Sequence, residues 1–201
     1  MRCGVFGGTF DPPHDGHLAL AQAALKQLNL NQVLWVVTAD PPHKKDALIA
    51  PVQDRLDMVA AAVQGQPKFE ISRLDVDRPG PHWAADTVRL LKQQRPEADL
   101  VYLMGSDSLR DLPTWGRPAE LLAHATLGVL RRPGAEVDLE ALERVLPGIS
   151  EKVEFVSAPP VDVSSHQIRQ RVADGAPIDG LVPLGVAEIV RARCLYRPSP
   201  V

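Results

Sequence analysis

The sequence predicts an α/β fold in which helices cover both faces of a mostly parallel, doubly wound sheet. Short apolar runs that are typical of strands alternate with segments whose apolar residues recur at helical spacing. Such alternation favours parallel strands, because each helix can serve as the crossover to the next strand. The 201 residues include 45% hydrophobic and 23% charged side chains, a composition that suits one globular domain.

Six strands are predicted in chain order, at residues 1–6, 33–37, 68–72, 99–105, 125–130 and 153–157. Helices are predicted between them at 18–28, 51–64, 82–94 and 136–146, and after the last strand at 165–175 and 185–195. Prolines cluster in the connections, which indicates stiffened loops instead of a linker between domains. We therefore expect a single domain over residues 1–201, with a C-terminal helical part over about 158–201 packed on it.

Charge and cysteine usage exclude several classes of function. A formal net charge of −3 gives no general attraction to nucleic acid or to an anionic membrane, so an anionic ligand must be held by local groups. The sequence shows no long apolar span and no apolar leader, and neither Cys3 nor Cys194 lies in a metal-ligand pattern. We expect a cytoplasmic protein with reduced cysteines and no nucleic-acid or membrane partner, and leave a homo-oligomer open.

The loop after the first strand carries a phosphate-binding pattern. Ligands of open α/β sheets lie outside the carboxyl ends of the strands, and Gly7-Gly8-Thr9-Phe10 gives a phosphate close access to the backbone there. The glycines fit neither G-x-G-x-x-G nor the P-loop. His14 and His17, at the start of the next helix, are spaced so that both imidazoles can reach one phosphate. The alternatives for this pair are a capping or core role, or half of a zinc site.

Later loops add further candidate ligands. His43 and Lys44 follow the second strand, where a stiff turn could aim them at an anionic substrate or leave them solvated. Gly105 and Asp107 end the fourth strand, where a glycine admits an adenosine and a carboxylate accepts from ribose hydroxyls or caps a helix. Trp115 is suited to stacking on a flat ligand, or to the core.

A second helix start that could face an anion is predicted near the C-terminus. Ser164 and the following serine are typical of a helix N-terminus, and Arg169 lies one turn further on. Free backbone N–H groups and a guanidinium together suit a polyphosphate.

The motif GGTFDPPHDGHL at 7–18 resembles the signature of the HxGH nucleotidyltransferase superfamily and, within it, that of the bacterial nicotinate-nucleotide adenylyltransferase family. Further segments match in the family's order: PPHK at 41–44, RPGPHWAADT at 78–87, MGSDSLRDLPTW at 104–115 and VSSHQIRQR at 163–171. The resemblance covers nearly the whole chain. It implies a Rossmann-like nucleotidyltransferase fold and transfer of the adenylyl group of ATP to nicotinate mononucleotide, which yields deamido-NAD and pyrophosphate in NAD biosynthesis.

The resemblance also implies roles for single residues. Catalytic roles fall to His14, His17 and Arg169. The implied ATP-binding residues are Gly7, Gly8, Thr9, Phe10, Gly105, Asp107, Ser164 and Ile168. The implied nicotinate-mononucleotide-binding residues are His43, Lys44, Trp83, Thr87, Asp111, Trp115 and Arg132. Backbone N–H groups near 83–87 and 111 are implied to meet the nicotinate carboxylate and disfavour an amide.

Mg²⁺ is expected to arrive with ATP, held by phosphate oxygens and water and not by a metal site of the protein. The chain departs from the family pattern at His166, where relatives carry a threonine, and at Pro13 and the His82-Trp83-Ala84 run. These departures concern contacts to the substrates and not the reaction.

Three other functions are weighed. A sister adenylyl- or cytidylyltransferase that acts, for example, on phosphopantetheine shares HxGH, but is not expected to carry the PPHK loop, the DT segment at 86–87 and the LPTW tryptophan together. A non-catalytic nucleotide-binding sensor could retain the fold without the chemistry. A tRNA-binding relative of class I synthetases would need a basic surface that this composition does not provide.

Overall fold

A parallel sheet forms the centre of the molecule in a computed structural model that describes residues 1–40, 49–131, 134 and 136–197. Within these residues the strands are β1 (Arg2–Gly8), β2 (Gln32–Val37), β3 (Phe69–Ser72), β4 (Asp99–Gly105), β5 (Thr126–Leu130) and β6 (Val153–Val156). All neighbouring strands pair in parallel, in the order β3-β2-β1-β4-β5-β6. The predicted fold class is confirmed, and the order reverses between β1 and β4.

The helices of the described residues are α1 (Asp15–Gln27), α2 (Val52–Val63), α3 (Ala84–Gln94), α4 (Ser106–Asp111), α5 (Pro118–His124), α6 (Leu139–Val145), α7 (Ser165–Ala173) and α8 (Leu184–Ala192). The predicted helices did not include α4 and α5, of six and seven residues, whereas the seven-residue α6 falls within the predicted helix 136–146. A 3-10 turn at Leu112–Thr114 follows α4. Among all the residues that the structure describes, no helix has both the length and the apolar character needed to cross a membrane.

Two apolar layers hold the helices on opposite faces of the sheet. Successive strand side chains point to opposite faces, so Val5 joins the layer under α3 and α5 while Phe6 joins the layer under α1 and α2. A third cluster lies outside the sheet, where Met58 of α2 packs against Ile168 of α7 and Val186 of α8. This third cluster brings the start of α7 close to the loop after β1.

Candidate active site

Two pockets open at the carboxyl ends of the strands, where ligands of open α/β sheets bind. The first, of about 310 Å³, is here called the tryptophan pocket, and its wall includes Gly7, Asp75, Trp83, Thr87, Tyr102 and Trp115. The second, of about 630 Å³, is here called the helix-end pocket, and its wall includes Gly16, Ala19, Pro159, Val163, Ser164 and His166. The segment 9–19, here called the histidine segment, joins them, because Thr9 lines the tryptophan pocket while Gly16 and Ala19 line the helix-end pocket.

The structure brings the two predicted histidines together on this segment. His14 precedes the first turn of α1 and is buried, and His17 lies in that turn, half-buried. Their imidazole centroids are 3.7 Å apart and their planes 31° apart. The backbone N–H of His14 donates to Nδ1 of His17 at 3.1 Å, so a neutral His17 carries its proton on Nε2, where it can be donated to a ligand.

Asp11, for which no role was predicted, links the histidine segment to Tyr196 near the C-terminus. Its carboxylate is 2% exposed, and Oδ1 accepts from the Tyr196 hydroxyl at 2.7 Å and from the Ala50 backbone N–H at 3.2 Å. Nη1 of Arg169 donates to the Asp11 carbonyl oxygen at 2.8 Å and lies 3.8 Å from Oδ2. Burial, and then the charge of Asp11, raise the pKa of Tyr196, so its hydroxyl stays a donor. Asp11 thereby holds the arginine predicted to bind phosphate.

Arg55 is a second polar anchor that sequence reasoning missed. It is 2% exposed, and its Nη1 donates to the carbonyl oxygens of Thr9 at 2.9 Å and Thr38 at 2.7 Å. Nη2 donates to the Ala39 carbonyl oxygen and Nε to that of Ala50, each at 3.0 Å. One guanidinium thus joins the segments that follow β1 and β2 to the start of α2. The signal in the sequence was an arginine on the apolar face of the predicted helix 51–64.

The tryptophan pocket owes its shape to two indoles. Trp83 immediately precedes α3, and Trp115 follows the 3-10 turn. Gly116 makes room for Trp83, because a Cβ at that position would lie 2.5 Å from the indole Cε3. The free N–H groups at the start of α3 lie on the same side of the sheet and can attract an anion.

Behind the indoles, buried polar groups fix the wall of the tryptophan pocket. The Thr87 hydroxyl donates to Asp75 Oδ1 at 2.9 Å, and Arg78 Nη2 donates to the same oxygen at 2.9 Å. His82 accepts at Nδ1 from the Asp40 backbone N–H at 3.2 Å, and its Nε2 lies 3.1 Å from the Arg78 carbonyl oxygen. The Thr87 hydroxyl is therefore committed to Asp75, and this network positions the start of α3.

The helix-end pocket lies between the first turns of α1 and α7. Ser164 caps α7, since its Oγ accepts from the Gln167 backbone N–H at 3.2 Å, which confirms the predicted helix start. Ser165 donates to the Pro12 carbonyl oxygen at 2.9 Å and ties α7 to the loop after β1. Two helix N-termini consequently border one cavity, a favourable arrangement for a polyphosphate.

The remaining predicted residues fall into three groups. Phe10 and Ile168 are 2% and 0% exposed and pack in apolar clusters, so only their backbones can face a nucleotide. Gly105 ends β4 and Asp107 lies in the first turn of α4, at the reversal of strand order. Asp111 ends α4, and its carboxylate accepts a hydrogen bond from Nε of Arg110. His43, Lys44 and Arg132 lie outside the described residues.

Comparisons with known proteins agree on one family. The model of the family described as cytidylyltransferase-like matches residues 5–171. A protein of Thermomicrobium roseum named "Probable nicotinate-nucleotide adenylyltransferase" is 45% identical over 98% of this chain and 92% of its own length. One of the same name from Gloeobacter violaceus is 41% identical over 97% of this chain and 96% of its own.

A likeness to a solved structure supports the fold alone. Plasmodium falciparum nicotinic acid mononucleotide adenylyltransferase complexed with NaAD is similar with a TM-score of 0.80 and 16% identity, over 97% of each chain. The chain belongs to the cytidylyltransferase-like family and, within it, to the nicotinate-nucleotide adenylyltransferases.

Proposed function

We propose that this protein transfers the adenylyl group of ATP to nicotinate mononucleotide and releases pyrophosphate, forming deamido-NAD in NAD biosynthesis. The observation that carries this proposal is the stacked pair His14 and His17 on the segment that joins two pockets. The names of relatives that are 36–45% identical supply the substrate. Solved structures of the Plasmodium falciparum protein complexed with NaAD and with APC agree with nucleotide substrates.

The mononucleotide fits the tryptophan pocket. Its pyridine ring would stack on Trp115, and its carboxylate would accept hydrogen bonds from N–H groups at the start of α3, next to Trp83. Thr87 supports this wall through Asp75 and does not offer its hydroxyl to the ring. His43, Lys44 and Arg132 are retained as proposed ligands of the mononucleotide, on the strength of the sequence resemblance alone.

ATP fits the helix-end pocket. Its phosphates would lie between the first turns of α1 and α7, near Ser164. The backbones of 7–10, of which 7–9 line the tryptophan pocket, and of Ile168 are retained as proposed ATP ligands on the strength of the sequence resemblance alone. Nη1 of Arg169 is anchored on Asp11, while its Nε and Nη2 donate to no residue that the structure describes, which suits a phosphate ligand. Gly105 and Asp107, at the end of β4, are proposed to meet the adenosine.

The reaction needs positioning and charge compensation, and no covalent nucleophile. A phosphate oxygen of the mononucleotide attacks the α-phosphorus of ATP in line, and the bond to the oxygen that bridges the α- and β-phosphorus breaks as pyrophosphate leaves. His14 and His17 offset the charge that develops on the phosphates, and the guanidinium of Arg169 meets the departing pyrophosphate. The stacking of the two imidazoles and the hydrogen bond from the His14 backbone to His17 hold the pair in place, which limits the reorganisation that this step requires.

Mg²⁺ bound to ATP is part of the proposal. Over the described ranges 1–40, 49–131 and 136–197 no three His, Cys, Asp or Glu side chains gather as metal ligands. A cation held mainly by phosphate oxygens and water fits that donor set, and when bound it neutralises part of the charge on the leaving pyrophosphate.

We also propose that residues 1–201 act as one nucleotidyltransferase domain. The support is packing: the cluster that joins α2, α7 and α8, and the bond from Tyr196 to Asp11 across the molecule. The cluster links α7 and α8 to α2, and the Tyr196 bond links the residues after α8 to the histidine segment.

The experiment is a pyrophosphate-release assay with ATP and Mg²⁺ that compares nicotinate mononucleotide, nicotinamide mononucleotide and phosphopantetheine. We expect the highest kcat/KM with nicotinate mononucleotide, and a loss of about 100-fold or more in kcat for His17→Ala because a preorganised donor to the transition state is removed. His124→Ala, at the end of α5 and in neither pocket wall, is the matched control and should keep its activity. Highest turnover with phosphopantetheine, or near-normal turnover of His17→Ala, would contradict the proposal.

A further inference from the structure

Tyr102 places a polar group in the wall of the tryptophan pocket that the proposed mechanism does not use. The side chain projects from β4 toward α3 and is 6% exposed, and it lines the pocket. Among the residues that the structure describes, its hydroxyl makes no hydrogen bond. A phenol buried to this degree normally has a partner, so the geometry suggests that the partner is a ligand.

The hydroxyl is directed toward the ligand end of the sheet. Tyr102 is in register with Val5 of β1, yet a Cβ placed at Gly7 would lie 2.6 Å from Tyr102 Oη. The side chain therefore extends two residues past its paired position, toward the carboxyl end of β1. Its ring stands at 83° to the indole of Trp115, with centroids 6.1 Å apart. A flat ring stacked on that indole would stand nearly perpendicular to the Tyr102 ring.

The hydroxyl remains able to donate a hydrogen bond in this setting. Burial, and then the charge of Asp75, raise the pKa of Tyr102 above its usual value, so the phenol keeps its proton. In the structure the Asp75 carboxylate accepts from Thr87 and Arg78, and not from Tyr102.

We propose that the Tyr102 hydroxyl donates a hydrogen bond to the carboxylate of the pyridine ring and makes the pocket more selective for the acid over the amide. This inference rests on the proposed function. When the ring nitrogen of nicotinate bears the ribose, the carboxylate is the only hydrogen-bond acceptor on the ring. A donor in the wall of the tryptophan pocket therefore has no other partner on the ring. A charged acceptor strengthens such a bond, and the neutral amide gains less from it.

The test is Tyr102→Phe, which removes one oxygen and retains the ring that packs in the core. The control is Tyr196→Phe, at the protein's other tyrosine. The Tyr196 hydroxyl donates to Asp11 and does not line the tryptophan pocket. For Tyr102→Phe we expect kcat/KM to fall about tenfold with nicotinate mononucleotide and less than about threefold with nicotinamide mononucleotide, with the KM for ATP unchanged. Tyr196→Phe should leave the ratio between the two mononucleotides unchanged.

A calorimetric titration with nicotinate mononucleotide alone tests the contact without turnover, and we expect about tenfold weaker binding to Tyr102→Phe. Binding within twofold of wild type, or an equal loss with both mononucleotides, would overturn the inference. If wild type releases no pyrophosphate with nicotinate mononucleotide, the proposed function fails, while the titration still decides whether Tyr102 binds the ring.

Discussion

Replacement of Arg55 by methionine tests how the active-site loops are held. The guanidinium donates to four backbone carbonyl oxygens, which belong to the segments after β1 and β2 and to the start of α2. Methionine fills similar apolar space but donates nothing, so the carbonyl groups lose their common donor while packing is largely retained. The change removes the polar anchor and not the core.

The magnitude follows from the number of bonds. Four hydrogen bonds at a net value of about 1 kcal/mol each give about 4 kcal/mol. Release of a buried cation, whose pKa is lowered by burial, offsets part of this loss. We expect the free energy of unfolding to fall by about 3 kcal/mol and, for a chain of this length, Tm to fall by about 6–12 °C.

Urea unfolding followed by circular dichroism measures this change, and steady-state kinetics measure its effect on the site. The matched control is Arg73→Met, which removes an exposed arginine paired with Asp77 and should cost less than about 1 kcal/mol. We expect kcat/KM to fall for both substrates of Arg55→Met, because Thr9 lines the tryptophan pocket. An unfolding free energy within 1 kcal/mol of wild type would refute the reasoning.

Two further substitutions test the anchors on either side of the histidine segment. Tyr196→Phe removes the 2.7 Å bond to Asp11, and we expect unfolding to become easier by about 1.5–3 kcal/mol. Because Asp11 holds Arg169, the KM for ATP should rise more than that for the mononucleotide, and equal changes in steady-state kinetics would count against this link. Gly7→Ala places a Cβ 2.6 Å from Tyr102 Oη and should cost about 1–3 kcal/mol in urea unfolding. Tyr102→Phe should recover part of that loss, whereas additive losses would exclude this clash.

Periodicity predicted every strand of the sheet and six of the helices, namely α1, α2, α3, α6, α7 and α8, because a buried strand or an amphipathic helix leaves its pattern in a local window. It did not predict α4, which lies within the segment 104–115 that was interpreted only as a motif, or α5, whose seven residues were assigned to no element. The helix start at Ser164 was also predictable, since a cap acts on a backbone group three residues away.

The residues of the candidate site also fall into those that local sequence predicts and those that only the fold brings together. The sequence by itself identified His14 and His17, since glycines, prolines and histidines within one loop carry their chemistry locally. Only the tertiary structure decided the roles of Asp11, Arg55 and Tyr102. Asp11 meets Tyr196 across 185 residues, and the direction of the Tyr102 hydroxyl depends on the register of two strands far apart in the chain. Burial of a polar or charged group raises the free energy of the folded state unless the group finds a hydrogen-bond partner. For these residues the partner comes from a distant part of the chain, so a local pattern of residues does not predict it.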